Sequence, residues 1–191
     1  MYNALAAISC ARLLGVSLAA AAAALETAHG AKGRVEPVPT DGDYSIFIDY
    51  AVTPDAIENV LTTLRGIAPK RLVMLFGAGG DRDRKKRPIM GKLSADIADF
   101  VIVTSDNPRT EDPMSIIEEI LPGVRAGKAP YKVICDRPEA IRWAIDHHEP
   151  GDVILLCGKG HEDYQIIGHE KIHMDEREIV ADYLAERAKR T

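Results

Sequence analysis

The chain has 191 residues, 46% hydrophobic and 28% charged, which is typical of a folded protein and excludes a disordered one. The formal net charge of -5 argues against a nucleic-acid partner, because nucleic-acid-binding domains present basic surfaces. Cys10, Cys135 and Cys157 are odd in number and far apart, so we expect no disulfide framework, no paired-cysteine metal site, and a reduced, cytoplasmic protein.

The first segment, residues 2–29, is rich in alanine and leucine. Polar residues interrupt it at Asn3, Ser9 and Arg12, so we expect neither a membrane-spanning helix nor a signal sequence, and no membrane partner. The pattern predicts two helices joined by a turn around Gly15, with Ser17 capping the second helix.

These helices carry apolar residues on nearly every side, so we expect them to pack against further chain and interpret them as the end of another domain. A glycine- and proline-rich run follows and resembles a linker between Gly30 and Gly42. We therefore divide the chain into a helical remnant, residues 1–34, and a second domain, residues 35–191.

After this border, short apolar runs alternate with amphipathic stretches. The predicted strands are 44–50, 71–76, 100–104, 131–134 and 153–157. The predicted helices are 54–65, 87–98, 113–121, 138–147 and 176–189, and a hairpin is predicted around Gly168. Alternating strands and helices predict an α/β fold with a Rossmann-like, doubly wound, mostly parallel sheet, whose ligands bind beyond the carboxyl ends of the strands.

Polar motifs follow four of the predicted strands. The second is followed by the glycine-rich, basic run GAGGDRDRKKRP, residues 77–88, whose arginines can hold a carboxylate or phosphate; a solvated loop is the alternative. The third is followed by SDNPR, residues 105–109, in which Asn107 and Arg109 can grip a zwitterionic amino-acid end, although a capped turn explains the same spacing.

The loop after the fifth strand reads GKGHEDY, residues 158–164. Its glycines permit close backbone approach, and Glu162 can receive a ligand ammonium. We favour a structural role over a catalytic one for His161. After the first strand, Asp49 either binds a ribose hydroxyl pair or caps a neighbour, while Thr53 is expected to cap the next helix.

Five motifs in order, GRVE (33–36), DYAVTPD (49–55), GAGGDRDRKKRP, SDNPR and GKGHEDYQ (158–165), resemble the C-terminal half of the Mur ligases. The resemblance is to those that add meso-diaminopimelate to UDP-MurNAc-L-Ala-D-Glu in peptidoglycan precursor synthesis. It implies a three-domain, ATP-dependent amide ligase, of which residues 1–34 are the end of the central ATPase domain. The family's phosphate loop and its carbamylated lysine are not in this sequence, so ATP and Mg²⁺ are expected to bind through the central domain.

The resemblance also assigns roles to residues. It places Arg82, Asn107, Arg109, Gly158 and Glu162 on the amino acid, with DNPR as the mark of meso-diaminopimelate as opposed to lysine. It places Asn3, Arg34 and Asp49 on the nucleotide, and assigns no catalytic residue or metal ligand to the chain. Two departures are visible: Val52 stands where the family usually has histidine, and Ala78 where it often has cysteine.

Two other functions fit the same sequence. A stand-alone, non-catalytic amino-acid-binding module would need no phosphate loop, and a related amide ligase of the folate or cyanophycin type would share the fold. The DNPR and GKGHE motifs weigh against the latter. We expect the chain to be inactive alone, with UDP-MurNAc-dipeptide as a partner only of the complete enzyme.

Overall fold

The computed structural model describes residues 2–28 and 30–190. Its helices are α1 (Tyr2–Leu13), α2 (Leu18–Glu26), α3 (Pro54–Arg65), α4 (Lys86–Ile97), α5 (Pro113–Ala126), α6 (Arg137–Asp146) and α7 (Glu176–Ala188). Its strands are β1 (Glu36–Val38), β2 (Ser45–Asp49), β3 (Leu72–Phe76), β4 (Phe100–Val103), β5 (Tyr131–Val133), β6 (Val153–Cys157), β7 (Tyr164–Ile167) and β8 (Glu170–His173). No helix in these ranges is long and apolar enough to cross a membrane.

The chain forms two compact units, residues 1–31 and 32–191. The first consists of α1 and α2, joined at Gly15, whose φ of +88° turns the chain. The hydroxyl of Ser17 accepts a hydrogen bond from the N–H of Ala20 at 3.1 Å and so caps α2. The predicted helical pair is confirmed.

The second unit is built on a six-stranded sheet of order β1-β2-β6-β3-β4-β5. All neighbouring strands in it are parallel except β1, which runs antiparallel to β2 at the edge. The predicted α/β fold with a mostly parallel sheet is confirmed. A separate two-stranded sheet, β7-β8, is the predicted hairpin, with Gly168 between its strands at a φ of +60°.

Side chains of the central strands alternate between two apolar cores. Met74 and Phe76 of β3 face α3, α4 and α5, whereas Val73 and Leu75 face α6 and α7. This alternation follows from the two-residue period of a strand that is covered on both faces. Helices therefore cover both sides of the sheet, and its edge at the carboxyl ends of the parallel strands carries the connecting loops.

Two boundaries differ from the sequence-based expectation. The run between Gly30 and Gly42 was predicted to be a linker, which is wrong for Glu36–Val38, because these residues pair with β2 as β1. Helix α5 was predicted to end at residue 121, before Pro122, but it continues to Ala126. Burial of Val124 and Gly123 against α4 compensates for the local cost of a proline inside a helix.

The contact of α4 with α5 is close enough to require glycine. A Cβ atom at Gly123 would lie 1.8 Å from the carbonyl oxygen of Pro88 and 2.8 Å from the amide nitrogen of Lys92. Such a contact leaves no room for a methyl group unless the helices separate.

We expect Gly123→Ala to lower the free energy of unfolding by about 1–3 kcal/mol, since overpacking forces the α4 and α5 backbones apart. Urea denaturation measures the change. Gly66→Ala is the control: Gly66 has a helical φ of -67°, and a Cβ there would lie 3.4 Å from its nearest neighbour. Gly66→Ala should leave the free energy of unfolding unchanged or raise it by up to about 1 kcal/mol. Equal effects of the two substitutions would contradict the proposed packing.

Candidate functional site

The loops after β2, β3, β4 and β6 enclose one cleft at the carboxyl ends of the strands. The five residues to which the resemblance gives a role in binding the amino acid all line it: Arg82, Asn107, Arg109, Gly158 and Glu162. Tyr50, Lys86 and Asp106 line it as well. The fold thus brings together side chains that are distant in the sequence, as expected for this edge of a parallel sheet.

Two arginines stand at the cleft on different loops. Arg82 is exposed, and its Nη1 donates to the carbonyl oxygen of Asp81 at 3.0 Å. Arg109 is half-buried, and its Nη1 donates to the carbonyl oxygen of Gly80 at 2.8 Å. The β7-β8 hairpin fixes the backbone of Arg109. The N–H of Arg109 donates to the carbonyl oxygen of Ile166 at 3.0 Å, and the carbonyl oxygen of Arg109 accepts from the N–H of Gly168 at 2.7 Å. Both guanidinium groups are suited to binding carboxylates.

Backbone contact joins the loops that carry these arginines. The N–H of Gly80 donates to the carbonyl oxygen of Asn107 at 2.9 Å. A Cβ at Gly80 would lie 1.8 Å from the carbonyl oxygen of Pro108, so only glycine permits this approach. The GGDRD and DNPR segments therefore act as one surface.

A buried polar network crosses the cleft from β4 to β6. Lys159 is fully buried, and its Nζ donates to Oδ1 of Asn107 at 2.7 Å and to Oε2 of Glu162 at 2.9 Å. Nδ2 of Asn107 donates to the same Glu162 oxygen at 2.9 Å. Asn107 is thus bound within the protein on both sides of its amide and holds Glu162 in place.

Glu162 is kept ionised by this network. Desolvation by burial opposes its charge, but the hydrogen bonds from Lys159 and Asn107 outweigh that effect and hold the pKa of the carboxyl below its ordinary value. An ionised carboxylate accepts up to about four hydrogen bonds, and its Oε2 accepts two from these residues. Capacity for a ligand ammonium remains.

Some basic residues of the run after β3 form ion pairs within the protein, and others line the cleft. Arg87 is fully buried, and its Nη2 and Nη1 bind Glu111 and Glu119, each at 2.7 Å. Arg84 pairs with Glu119. Arg84 and Arg87 therefore connect α4 and the residues before it to α5 and to the loop before α5, and their guanidinium groups are engaged in ion pairs. Arg82 and Lys86 of the run line the cleft.

A sequence profile described as "Mur ligase, glutamate ligase domain" matches residues 33–160. This chain belongs to the Mur ligase family. It is 52% identical, over 99% of its length, to a UDP-N-acetylmuramoyl-L-alanyl-D-glutamate–2,6-diaminopimelate ligase of Caldanaerobacter subterraneus subsp. tengcongensis, of which it covers 39%. An enzyme of the same name from Trichormus variabilis is 51% identical over 99% of this chain and 38% of its own length.

Among solved structures, one of a UDP-N-acetylmuramoyl-L-alanyl-D-glutamate–2,6-diaminopimelate ligase superposes with a TM-score of 0.77 at 38% identity. The match covers 96% of this chain and 38% of the other. The chain thus spans about two fifths of the length of the Mur ligases that it matches.

The residues that Mur ligase resemblance places on the nucleotide are distributed over both units. Asp49 is buried, and its Oδ2 accepts the N–H of Val35 at 2.8 Å. Desolvation raises the pKa of this carboxyl, although the hydrogen bond from Val35 and the positive charge of Arg34 each lower it in part. Arg34 is exposed, with its guanidinium carbon 5.2 Å from the Tyr50 ring centroid. Asn3 is exposed on α1, in the first unit.

Val52, the position at which the resemblance leads us to expect histidine, is among the residues that line the cleft. Its carbonyl oxygen accepts a hydrogen bond from Nζ of Lys86 at 2.8 Å. Burial lowers the pKa of Lys86. The backbone contact with Lys86 therefore does not depend on the side chain at position 52.

Three charged residues of this Mur ligase chain were missed by sequence reasoning. Lys159 and Arg137 are fully buried, and Arg137 binds Glu176 at 2.8 Å and the Cys157 carbonyl at 2.8 Å. Lysine and arginine are usually exposed, so their residue types do not predict burial. The sequence indicates a special position only through the glycines on either side of Lys159 and the helix cap before Arg137. The third is Arg177, the partner of Glu36.

Glu36 of the GRVE motif joins the start of the domain to the loop after β6. Arg177 of α7 donates from Nε and Nη2 to the two Glu36 carboxylate oxygens at 2.9 and 2.5 Å, and from Nη2 to the Gly160 carbonyl at 2.9 Å. The N–H of Gly33 also donates to Glu36, at 2.5 Å. The bonds from Arg177 lower the pKa of Glu36 to about 2.

Glu36→Gln should therefore destabilise the protein in a pH-dependent way. A carboxyl with a lowered pKa contributes stability above its unfolded pKa, near 4.5, and loses that contribution as the pH falls toward about 2. We expect a loss of about 1–3 kcal/mol at neutral pH that vanishes over this window. Urea denaturation across pH measures it, with Glu58→Gln on the exposed side of α3 as control. A pH-independent loss would show that the charge of Glu36 is unimportant.

Proposed function

We propose that this chain is the amino-acid-binding portion of an ATP-dependent ligase that joins meso-diaminopimelate to UDP-MurNAc-L-Ala-D-Glu. The observation that carries the proposal is the convergence of Arg82, Arg109 and Glu162 on one cleft from three separate loops. The relatives at 52% and 51% identity, both 2,6-diaminopimelate ligases by name, support the choice of substrate.

The charges of the cleft suit the far end of meso-diaminopimelate. That end carries an ammonium and a carboxylate, whereas the far end of lysine carries only an ammonium. Glu162 is ionised and offers acceptor capacity to the ammonium. Arg109 offers a planar donor group to the carboxylate at a fixed backbone position. Lysine would leave this guanidinium without its partner.

The contribution of the chain to the reaction is positional. ATP, when bound, supplies the phosphoryl group that activates the D-Glu side-chain carboxylate for attack by the amine of the amino acid. Holding the amino acid at both charged groups orients that amine, and water exclusion strengthens the contacts. Within residues 2–28 and 30–190 no group of three or more His, Cys, Asp or Glu side chains is placed to hold a metal ion, and we assign no Mg²⁺ ligand to them.

On the nucleotide side, Arg34 fits a phosphate contact because its guanidinium is exposed. Asp49 is already bound to the backbone of Val35 next to Arg34, so its proposed effect on the nucleotide includes fixing the segment that carries Arg34. Asn3 is proposed to contact the adenine surroundings from α1.

Substitution of Arg109 tests the substrate assignment. Loss of a charge-assisted contact in a closed site costs roughly 2–4 kcal/mol, or about 30- to 1000-fold in kcat/KM. We expect Arg109→Ala to cause this loss for meso-diaminopimelate while changing the poor reaction of lysine far less. A suitable enzyme is a hybrid in which this chain replaces the segment that it matches in the Caldanaerobacter relative.

Arg142→Ala, an exposed arginine on α6, is the matched control and should leave both activities within about twofold, as surface substitutions do. An NMR titration of the chain itself with meso-diaminopimelate and with lysine reports binding without the rest of the enzyme. Equal losses for both amino acids in Arg109→Ala would show that Arg109 supports the fold or the nucleotide instead of binding the substrate.

A further inference from the structure

We propose that Lys159 is a positioning residue of the cleft, which fixes Glu162 and Asn107 in the arrangement that receives the substrate ammonium. The inference rests on the proposed function for the identity of the ligand. Its geometric basis is independent of that identity, because the contacts of Lys159 are made within the protein.

The loop after β6 turns Lys159 inward. Gly158 and Gly160 on either side have φ values of +114° and +53°, in the region that favours glycine. The N–H of Glu162 donates to the carbonyl oxygen of Lys159 at 2.9 Å, which closes a turn and places both side chains on the same side. Lys159 is fully buried in consequence, an uncommon position for a lysine.

Among the described residues, the partners of the buried Lys159 ammonium belong to the cleft or its wall. Its Nζ lies 2.7 Å from Oδ1 of Asn107, 2.9 Å from Oε2 of Glu162 and 5.4 Å from the ring centroid of Tyr164. Two hydrogen bonds and an aromatic face compensate for the loss of water around the charge. The side chain of Lys159 is thereby fixed in one orientation.

Lys159 and the backbone of Ile166 together determine which way the amide of Asn107 faces. Oδ1 of Asn107 meets two groups that only donate, Nζ of Lys159 and the N–H of Ile166 at 2.9 Å. The amide nitrogen must therefore face Glu162, and it donates to Oε2 at 2.9 Å. An amide nitrogen in this position is satisfied by an ionised carboxylate, so the three side chains support one another.

The groups near Glu162 show how Lys159 contributes to keeping the Glu162 carboxyl ionised. Lys159 and Tyr164 contact it from its own loop and from β7, and Arg82, Lys86, Arg109 and Asp106 line the same cleft. Of these, Lys159 donates directly to the carboxylate, together with Asn107. Without it, the desolvation that opposes ionisation of Glu162 would be balanced by Asn107 and Tyr164 alone among its hydrogen-bond donors.

The test compares Lys159→Met with Lys171→Met. Lys171 is an exposed lysine whose Nζ lies 3.5 Å from the centroid of the same Tyr164 ring, so the control removes an equal charge from the same aromatic neighbour. Carbon-detected NMR of the Glu162 carboxyl in the chain gives its titration midpoint. We expect Lys159→Met to raise this midpoint by about one pH unit or more, and Lys171→Met to leave it in place.

Binding of meso-diaminopimelate, measured by NMR titration, is the second readout. We expect Lys159→Met to weaken it about tenfold at neutral pH, and further as the pH falls through the raised midpoint of Glu162, where this carboxyl becomes protonated. Lys159→Gln, which keeps a donor but no charge, provides a second variant should the methionine variant not fold, with the same upward shift of the midpoint expected.

A double-mutant cycle separates positioning from support of the fold. In a Glu162→Gln background, Lys159→Met should weaken binding clearly less than it does in the unaltered chain, because one of the two hydrogen-bond partners of Lys159 is already altered and only Asn107 remains. An undiminished loss in that background, or an unchanged Glu162 midpoint in both Lys159 variants, would overturn the proposal. Absence of meso-diaminopimelate binding by the unaltered chain would instead contradict the proposed function, while the carboxyl titration still decides the role of Lys159.

Discussion

Backbone contact between the loops after β3 and β4 is the constraint on which the cleft depends. Cβ atoms at Gly77 and Gly80 would lie 2.4 and 1.8 Å from the carbonyl oxygens of Thr104 and Pro108. Parallel pairing of β3 with β4 brings the two loops to the same edge, and the glycines let them touch. Arg82 and Arg109, on separate loops, consequently face one cavity. Any side chain at Gly80 would separate them.

The site is also organised by the pairing of its charges. Arginines after β3 that face α5 are neutralised by Glu111 and Glu119, and the pKa of Glu111 is lowered to about 2 by its bond to Arg87. Arginines that face the cleft bond only to backbone carbonyl groups at Asp81 and Gly80 among the contacts of the described residues. This division leaves the cationic groups of the cleft able to bind an anionic ligand, and fixes the loops that carry them.

Much of this arrangement follows from the sequence. The strand runs and helix caps predicted the order of the elements, and Thr53 caps α3 at the expected position. The rule that ligands bind beyond the carboxyl ends of parallel strands predicted that DNPR and GKGHE meet. Binding roles for the residues of these motifs remain proposals.

What the sequence did not predict depends on tertiary contacts. The extension of α5 past Pro122 depends on burial against α4, and β1 depends on pairing with β2. The buried positions of Lys159 and Arg137 depend on partners distant in the sequence, Asn107 and Glu176. Local propensity contains no information on these partners, and residue type alone favours exposure of both.

A crystal structure of the chain with meso-diaminopimelate would show directly whether the cleft binds the amino acid through Arg109 and Glu162. We expect the ligand to lie in the cleft, with one of its carboxylates bound by the guanidinium of Arg109 and the ammonium of the same end within hydrogen-bonding distance of Glu162. The Lys159–Glu162 and Lys159–Asn107 contacts should be retained. A ligand bound elsewhere, or bound in the cleft with its carboxylate away from Arg109, would show that these residues do not form the amino-acid site.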